Sequence, residues 1–143
     1  MDKTDCLKLE NQLCFPLYAA SRNVIRKYKK FLDELDLTYT QYIAMMVLWE
    51  NEQINVKELG KKLYLDSGTL TPLLKTLENK GYISRVRSSD DERNLLICLT
   101  ENGYKLKDKA SKIPQMVSKC INLDAEDAIN LYKILYKILE SGD

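Results

Sequence analysis

The stretch Leu63–Gly103, LYLDSGTLTPLLKTLENKGYISRVRSSDDERNLLICLTENG, decides the fold. Asp66 or Ser67 stands where a helix N-cap belongs, and Leu70, Leu73, Leu74 and Leu77 then recur at spacings of three and four. Gly81 sits where a C-terminal glycine ends such a helix. Two short β-rich runs follow, YISRVR and LLICLT, on either side of a polar tip, Ser88 to Asn94, which is the pattern of a hairpin. Just upstream, Asn55 with Glu58 three residues later opens a short helix, VKELGKKL, and YLDSG makes a turn. Pro72 removes a helical hydrogen bond, so it predicts a kink or a regular helix confined to later residues.

Short helix, turn, helix and hairpin in that order make a winged helix-turn-helix. The helix from Asp66 to Lys80 begins with small polar side chains, Ser67, Thr69 and Thr71, which can approach base edges, while Lys75 and Lys80 can reach phosphates. The wing carries Arg85, Arg87 and Arg93, and an arginine at a hairpin tip suits a narrow A·T minor groove. Charge alone would not identify a nucleic-acid binder. Residues 53–100 hold eight Lys/Arg against six Asp/Glu, and three of the acids, Asp90, Asp91 and Glu92, are at the tip.

The flanking sequence is helical. Leu13, Leu17, Ala20, Val24, Tyr28, Phe31 and Leu35 form one stripe upstream. Thr38 with Gln41 is a capping-box pair that opens the very apolar YIAMMVLWE, expected as central core. Downstream, Thr100 starts ENGYKLKDKASKI, interrupted at Pro114, and Asp124 with Asp127 caps AEDAINLYKILYKILESG, closed by Gly142. This last helix is apolar at Ala128, Leu131, Leu135 and Ile138, and again at Ile129, Tyr132, Ile134 and Leu139. That is wider than the surface helix of a monomer needs, so segments 10–36 and 101–143 are expected to dimerise around a DNA-binding lobe at about 53–100, all in one domain. A single helical core is the alternative.

The 143 residues carry a net charge of +1 and no histidine. A histidine base or ligand is therefore excluded, and the four cysteines, Cys6, Cys14, Cys98 and Cys120, form no C-x-x-C pair, so no metal or cofactor is expected. No apolar run approaches a membrane span. The polar, acidic start does not read as a signal peptide, and a cytoplasmic location is expected. In a reducing compartment each cysteine is either packing or a redox-active thiol. Cys98 alternates inward in a wing strand and reads as buried packing. Cys14 is either a small core residue or a reactive thiol. Pro16 places Cys14 at the N-terminal end of its helix, where negative charge, and hence the nucleophilic thiolate, is favoured.

Residues 63–103, together with NQLCFPLYAASR and LDLTYTQYIAMMVLWE, resemble the MarR family of dimeric repressors, and within it the organic-hydroperoxide-sensing, OhrR-type branch. The D-x-R of the wing, Asp91 and Arg93, followed by LTENG, is the most specific motif, and the similarity runs from about residue 10 to residue 110. The resemblance implies an intertwined helical dimer, mainly α with a small β-hairpin wing, on a pseudo-palindromic, A·T-rich operator. It implies that Arg93 enters the minor groove with Asp91 orienting it, and that Ser67 to Lys75 reads the major groove. It assigns Tyr28 and Tyr39 as partners of a Cys14 thiolate, and it implies that oxidised Cys14 is capped either by a small thiol or by Cys120 as a resolving thiol. Tyr18 and Arg22, one turn apart, read as local support for the same site, and Phe15 as part of its apolar lining. Cys14 and Tyr28 are fourteen residues apart on what reads as one helix, about 21 Å, and cannot touch within one subunit. The implied function is a redox-sensing repressor, not an enzyme, that organic hydroperoxide releases from DNA to derepress a detoxifying gene. Three alternatives stand beside it: a MarR-type regulator that binds a small aromatic ligand, one that responds to general oxidants, and a thiol peroxidase.

Overall fold

The computed structural model describes residues 2–87 and 94–142. The hairpin tip, with Asp91 and Arg93, lies outside the described residues. The described chain is mainly α: α1 (Cys14–Leu32), α2 (Tyr39–Asn51), α3 (Val56–Leu63), α4 (Ser67–Asn79), α5 (Glu101–Ala110), α6 (Ile113–Ser118) and α7 (Ala125–Glu140). Three short strands, β1 (Gln53–Asn55), β2 (Ile83–Arg87) and β3 (Leu95–Leu99), form an antiparallel sheet in the order β1-β3-β2.

The first helix starts later than the segment 10–36 suggests. Two 3-10 turns, Asp5–Leu7 and Leu9–Asn11, precede it, and Gln12 is extended, so regular α structure begins only at Cys14. Pro16 therefore falls in the first turn, where an amide N–H has no helical acceptor in any case, and it costs no hydrogen bond. The opposite end of α1 passes through a 3-10 turn to Asp36, held at φ 53°.

The capping box at Thr38 forms as its spacing predicts. The Gln41 amide donates to Thr38 Oγ1 at 3.3 Å, and the Thr38 amide donates to Gln41 Oε1 at 3.0 Å. The helix that it opens is the centre of the core, with Ala44, Met45 and Leu48 fully buried. Around it pack Leu32, Leu35 and Leu37, the α4 leucines 70, 73, 74 and 77, Ile83 and Ile97 from the wing, and Ile113 and Val117 from α6.

Asp66, rather than Ser67, caps α4, accepting from the Thr69 amide at 2.7 Å. The helix then runs unbroken through Pro72, so the expected confinement to later residues does not occur. The carbonyl that Pro72 leaves without a donor is that of Gly68, four residues back in the exposed first turn, where water can satisfy it. At the other end Gly81, at φ 82°, closes a Schellman motif: its amide donates to the Glu78 carbonyl, and that of Tyr82 to Leu77.

Two readings of the wing are corrected. The sheet has a third strand, β1, whose Ile54 pairs with Ile97; three residues are too few to show alternation in sequence. In β3 the inward residue is Ile97, flanked by Leu95 and Leu99 against the core, so Cys98 belongs to the other face and is half-buried. The period of two leaves no choice once Ile97 is inside. The helix after the wing is two helices, α5 and α6, with Pro114 in the first turn of α6.

The N-terminal half of α1 and most of α7 are left uncovered. Along the stripe, Leu13 (85% exposed) and Leu17 stand in solvent, Val24, Tyr28 and Phe31 are half-buried, and Leu35, just past the helix, is buried; Leu32 is the one buried residue of α1 itself. No residue of α7 is buried by the rest of the described chain, and Ile129, Leu131, Tyr132, Ile134, Ile138 and Leu139 are all exposed.

Candidate nucleic-acid interface and thiol site

The exposed side of α4 presents Ser67, Thr69, Thr71 and Lys75, while its leucines hold the helix to the core. Asp66 serves this face as its cap. Hydrogen bonds from Thr69, backbone first, hold the Asp66 carboxyl below the ordinary carboxylate range, and its charge is thereby turned to the helix N-terminus. Thr71 Oγ1 donates to the Ser67 carbonyl at 2.8 Å, leaving the hydroxyl lone pairs to face outward. Lys57 and Lys61 of α3 line the same hollow as Ser67 and Thr71. Sequence reading passed them over, although their i,i+4 spacing on VKELGKKL puts both on one face.

Two basic residues offered for phosphate or groove contact are used within the chain. Lys80 Nζ donates to the Asp36 carbonyl and pairs with the Asp36 carboxylate at 3.5 Å, tying the end of α4 to the turn before α2. Arg85 Nη2 pairs with Glu78 Oε1 at 3.0 Å, which docks β2 on α4 and holds the Glu78 carboxyl below its usual range. Arg87 is exposed at the last described position before the tip.

Cys14 is a free, exposed thiol in the first turn of α1. Phe15 and Leu17 beside it are also exposed. One turn on, Arg22 Nη1 donates to the Tyr18 hydroxyl at 3.2 Å and its guanidinium lies 5.5 Å from the Tyr18 ring centre. Tyr28 and Tyr39 do meet, edge to face with centroids 4.9 Å apart, at the far end of α1. Tyr42 closes the cluster at 5.9 Å from Tyr28 and 6.3 Å from Tyr39. Tyr42 was absorbed into the core reading of YIAMMVLWE, though the i,i+3 spacing from Tyr39 marks the pair as neighbours.

Since α1 is a single helix from Cys14 to Leu32, the thiol and the tyrosine cluster stand about 21 Å apart in one chain. Cys120 is free and half-buried beyond α6, with its Sγ donating to the Met116 carbonyl at 3.5 Å. Met116 and Ile113 line a hollow with Phe31 and Leu35, so Cys120 also belongs to the end of α1 remote from Cys14. Cys6 is exposed.

Burial raises all three phenols of the cluster above the ordinary tyrosine value, and like charge between their ionised forms adds to this at Tyr28 and Tyr42; Tyr42 is pushed up to about 12. They are therefore hydrogen-bond donors throughout the neutral range. A phenol that ionises later folded than unfolded binds more protons in the folded state, so its stabilisation is complete below pH ~10 and is lost as pH rises through the raised value. Tyrosinate absorbance is expected to show a late fraction among the nine tyrosines, with stability falling from about pH 10 towards 12. A single step for all nine near the ordinary value would show that the cluster is not buried.

A winged helix with an open polar recognition helix, carried on long helices that the chain itself leaves bare, defines a DNA-binding regulator. The family model described as transcriptional regulator SarA/Rot matches residues 26–110. An organic hydroperoxide resistance transcriptional regulator of Bacillus subtilis is 51% identical over 140 residues, 98% of this chain and 95% of the relative. Among solved structures, reduced AbfR bound to DNA superposes with a TM-score of 0.80 at 34% identity, covering 97% of this chain and 96% of that one; AbfR is a Staphylococcus epidermidis protein that is also solved in a disulfide form. Wild-type MarR of E. coli gives 0.71 at 27% identity, over 90% of this chain and 97% of its own. The chain belongs to the MarR family of winged-helix transcriptional regulators, in its organic-hydroperoxide branch. No helix of the described residues is long and apolar enough to cross a membrane.

Proposed function

We propose that the protein is a homodimeric, cytoplasmic repressor whose Cys14 thiol senses organic hydroperoxides. The observation that carries this reading is the layout of α1. An exposed cysteine opens the helix, neutral phenol donors sit at its other end, and the surface between them awaits a partner. Two copies related by a two-fold axis can bring Cys14 of one to Tyr28 and Tyr39 of the other. There the phenols would hold the thiolate by charge-assisted hydrogen bonds. Tyr18 and Arg22 support the same surface, and Leu13, Phe15 and Leu17 supply apolar contact for a hydrocarbon substituent.

The thiolate attacks the distal oxygen of the peroxide. The S–O bond forms as the O–O bond breaks, sulfur is oxidised to sulfenic acid, and the alkoxide leaves to take a proton and become the alcohol. A small thiol, or Cys120 of the partner subunit, then condenses with the sulfenic acid and releases water. Losing the thiolate removes the acceptor of the phenols, and the two recognition helices lose their register on half-sites about one helical turn apart. On the DNA, Ser67, Thr69, Thr71 and Lys75 read the major groove, Lys57, Lys61 and Arg87 meet phosphates, and Arg93, oriented by Asp91, enters the A·T-rich minor groove. Arg85 positions the wing through Glu78.

The test is a gel shift on an A·T-rich inverted repeat selected on the reduced protein, with and without cumene hydroperoxide. The wild type is expected to lose between about 5- and 150-fold in affinity on oxidation, and Cys14→Ser to lose none. Unchanged wild-type binding would sink the sensor reading; release of Cys14→Ser would sink the choice of thiol.

A further inference from the structure

The tyrosine cluster and the wing meet at one tryptophan. Two turns beyond Tyr42 on α2, Trp49 packs edge-on to it with ring centroids 6.4 Å apart. Its indole N–H donates to the Gly103 carbonyl at 2.9 Å. Gly103 lies in the first turn of α5, where a Cβ would collide with the Tyr82 carbonyl and the Leu99 side chain, so the glycine lets α5 press on the roots of both wing strands. Thr100, the cap of α5, binds the same junction. It accepts from the Gly103 amide at 3.1 Å, its hydroxyl donates to the Gly81 carbonyl at 2.6 Å, and its amide donates to Tyr82 at 3.1 Å. Two further bonds fasten the end of α2 there: Lys107 Nζ to the Trp49 carbonyl at 3.3 Å, and the Leu99 amide to the Glu52 carbonyl at 2.8 Å.

We propose that Trp49 is the positioning residue that couples the Tyr28–Tyr39–Tyr42 cluster to the wing and to the C-terminal end of α4. The inference rests on the thiol-sensor reading. Tyr42 is buried and touches Tyr28 and Tyr39 on one side and Trp49 on the other, so a shift of either outer tyrosine presses on the ring against which Trp49 packs. A ring contact by itself can slide. The indole N–H···O bond has a fixed direction, so a displaced Trp49 either carries Gly103 with it or breaks the bond. Gly103 in turn is locked between Tyr82 and Thr100, the residues that flank the hairpin. A small change at the tyrosines thus reaches the strand roots and Gly81, where the recognition helix ends.

The experiment uses the full chain, wild type and Trp49→Phe, on the inverted repeat selected on the reduced protein. The phenylalanine keeps a ring and removes the donor. Trp49→Phe is expected to bind in the reduced state within about twofold of wild type and to oxidise at Cys14 at the wild-type rate by mass spectrometry. Its affinity loss on oxidation should shrink by about tenfold. A release factor equal to wild type overturns the proposal. Trp49 is the single tryptophan of the chain, so a second readout needs no substitution. Indole emission of the wild type should shift with cumene hydroperoxide and stay fixed in Cys14→Ser. Release of DNA without any change in emission also overturns the coupling. If wild type holds DNA after oxidation, the sensor reading falls with it; if both proteins release equally, only the coupling falls.

Discussion

Ile134→Glu and Ile138→Glu are expected to leave each chain folded while splitting the dimer and weakening operator binding by about 10²- to 10⁴-fold. In an isolated chain both side chains are more than half exposed, at 56% and 53%, so a glutamate there buries no charge and opens no cavity. Such surface changes ordinarily move stability by less than about 0.5 kcal/mol. Across a two-fold interface each substitution acts twice. It places unpaired carboxylates beside Leu131 on one face of α7 and against the apolar face of the partner, and an uncompensated buried charge costs several kcal/mol. A monomer then engages one half-site without the second as a tethered partner, which accounts for the loss of affinity. Analytical ultracentrifugation with circular dichroism checks the first part and a gel shift the second. A variant that sediments as wild type would remove α7 from the dimer interface.

The second large effect concerns which chain completes the thiol site. Replacing both Tyr28 and Tyr39 by Phe is expected to slow oxidation of Cys14 on the order of a hundredfold, since two hydrogen bonds to a charged group contribute about 1.5 kcal/mol each at the low end. Mixing this double variant with Cys14→Ser makes a dimer with a single Cys14, carried on the chain that lacks the phenols. If the site is shared across the interface, that thiol faces the intact tyrosines of its partner and reacts at the wild-type rate. If the site were built within one chain, it would stay slow. The roughly 21 Å between Cys14 and Tyr28 along α1 is too long for contact within one chain, so the first outcome is the expected one under the proposed thiol site.

Local chemistry was read well from sequence. Thr38 with Gln41, Thr100 and Asp124 all cap the helices assigned to them, because a cap is a contact between residues three apart and needs nothing from the rest of the chain. Of the two candidates Asp66 and Ser67, the structure selects Asp66. The leucine periodicity of α4 and the glycine at its end belong to the same kind of evidence. Features that depend on distant partners were read less well. β1 exists only through its pairing with β3, some forty residues on. The inward face of β3 was misjudged by one position, which put Cys98 inside in place of Ile97. Lys80 and Arg85 looked available for phosphates because their partners, Asp36 and Glu78, are assigned only by the fold.

The candidate thiol site divides the same way. Sequence alone determined the order of elements, hence the winged helix and its family, together with the length of α1 that keeps Cys14 from Tyr28. Periodicity and caps are short-range and repeat along the chain, so they survive without coordinates. Tertiary structure decided that Tyr42 joins Tyr28 and Tyr39, that Trp49 bonds Gly103 fifty-four residues away, and that no residue of α7 is buried by the rest of the described chain. Those outcomes depend on which faces pack against which, and burial is a property of the assembled core rather than of any one segment.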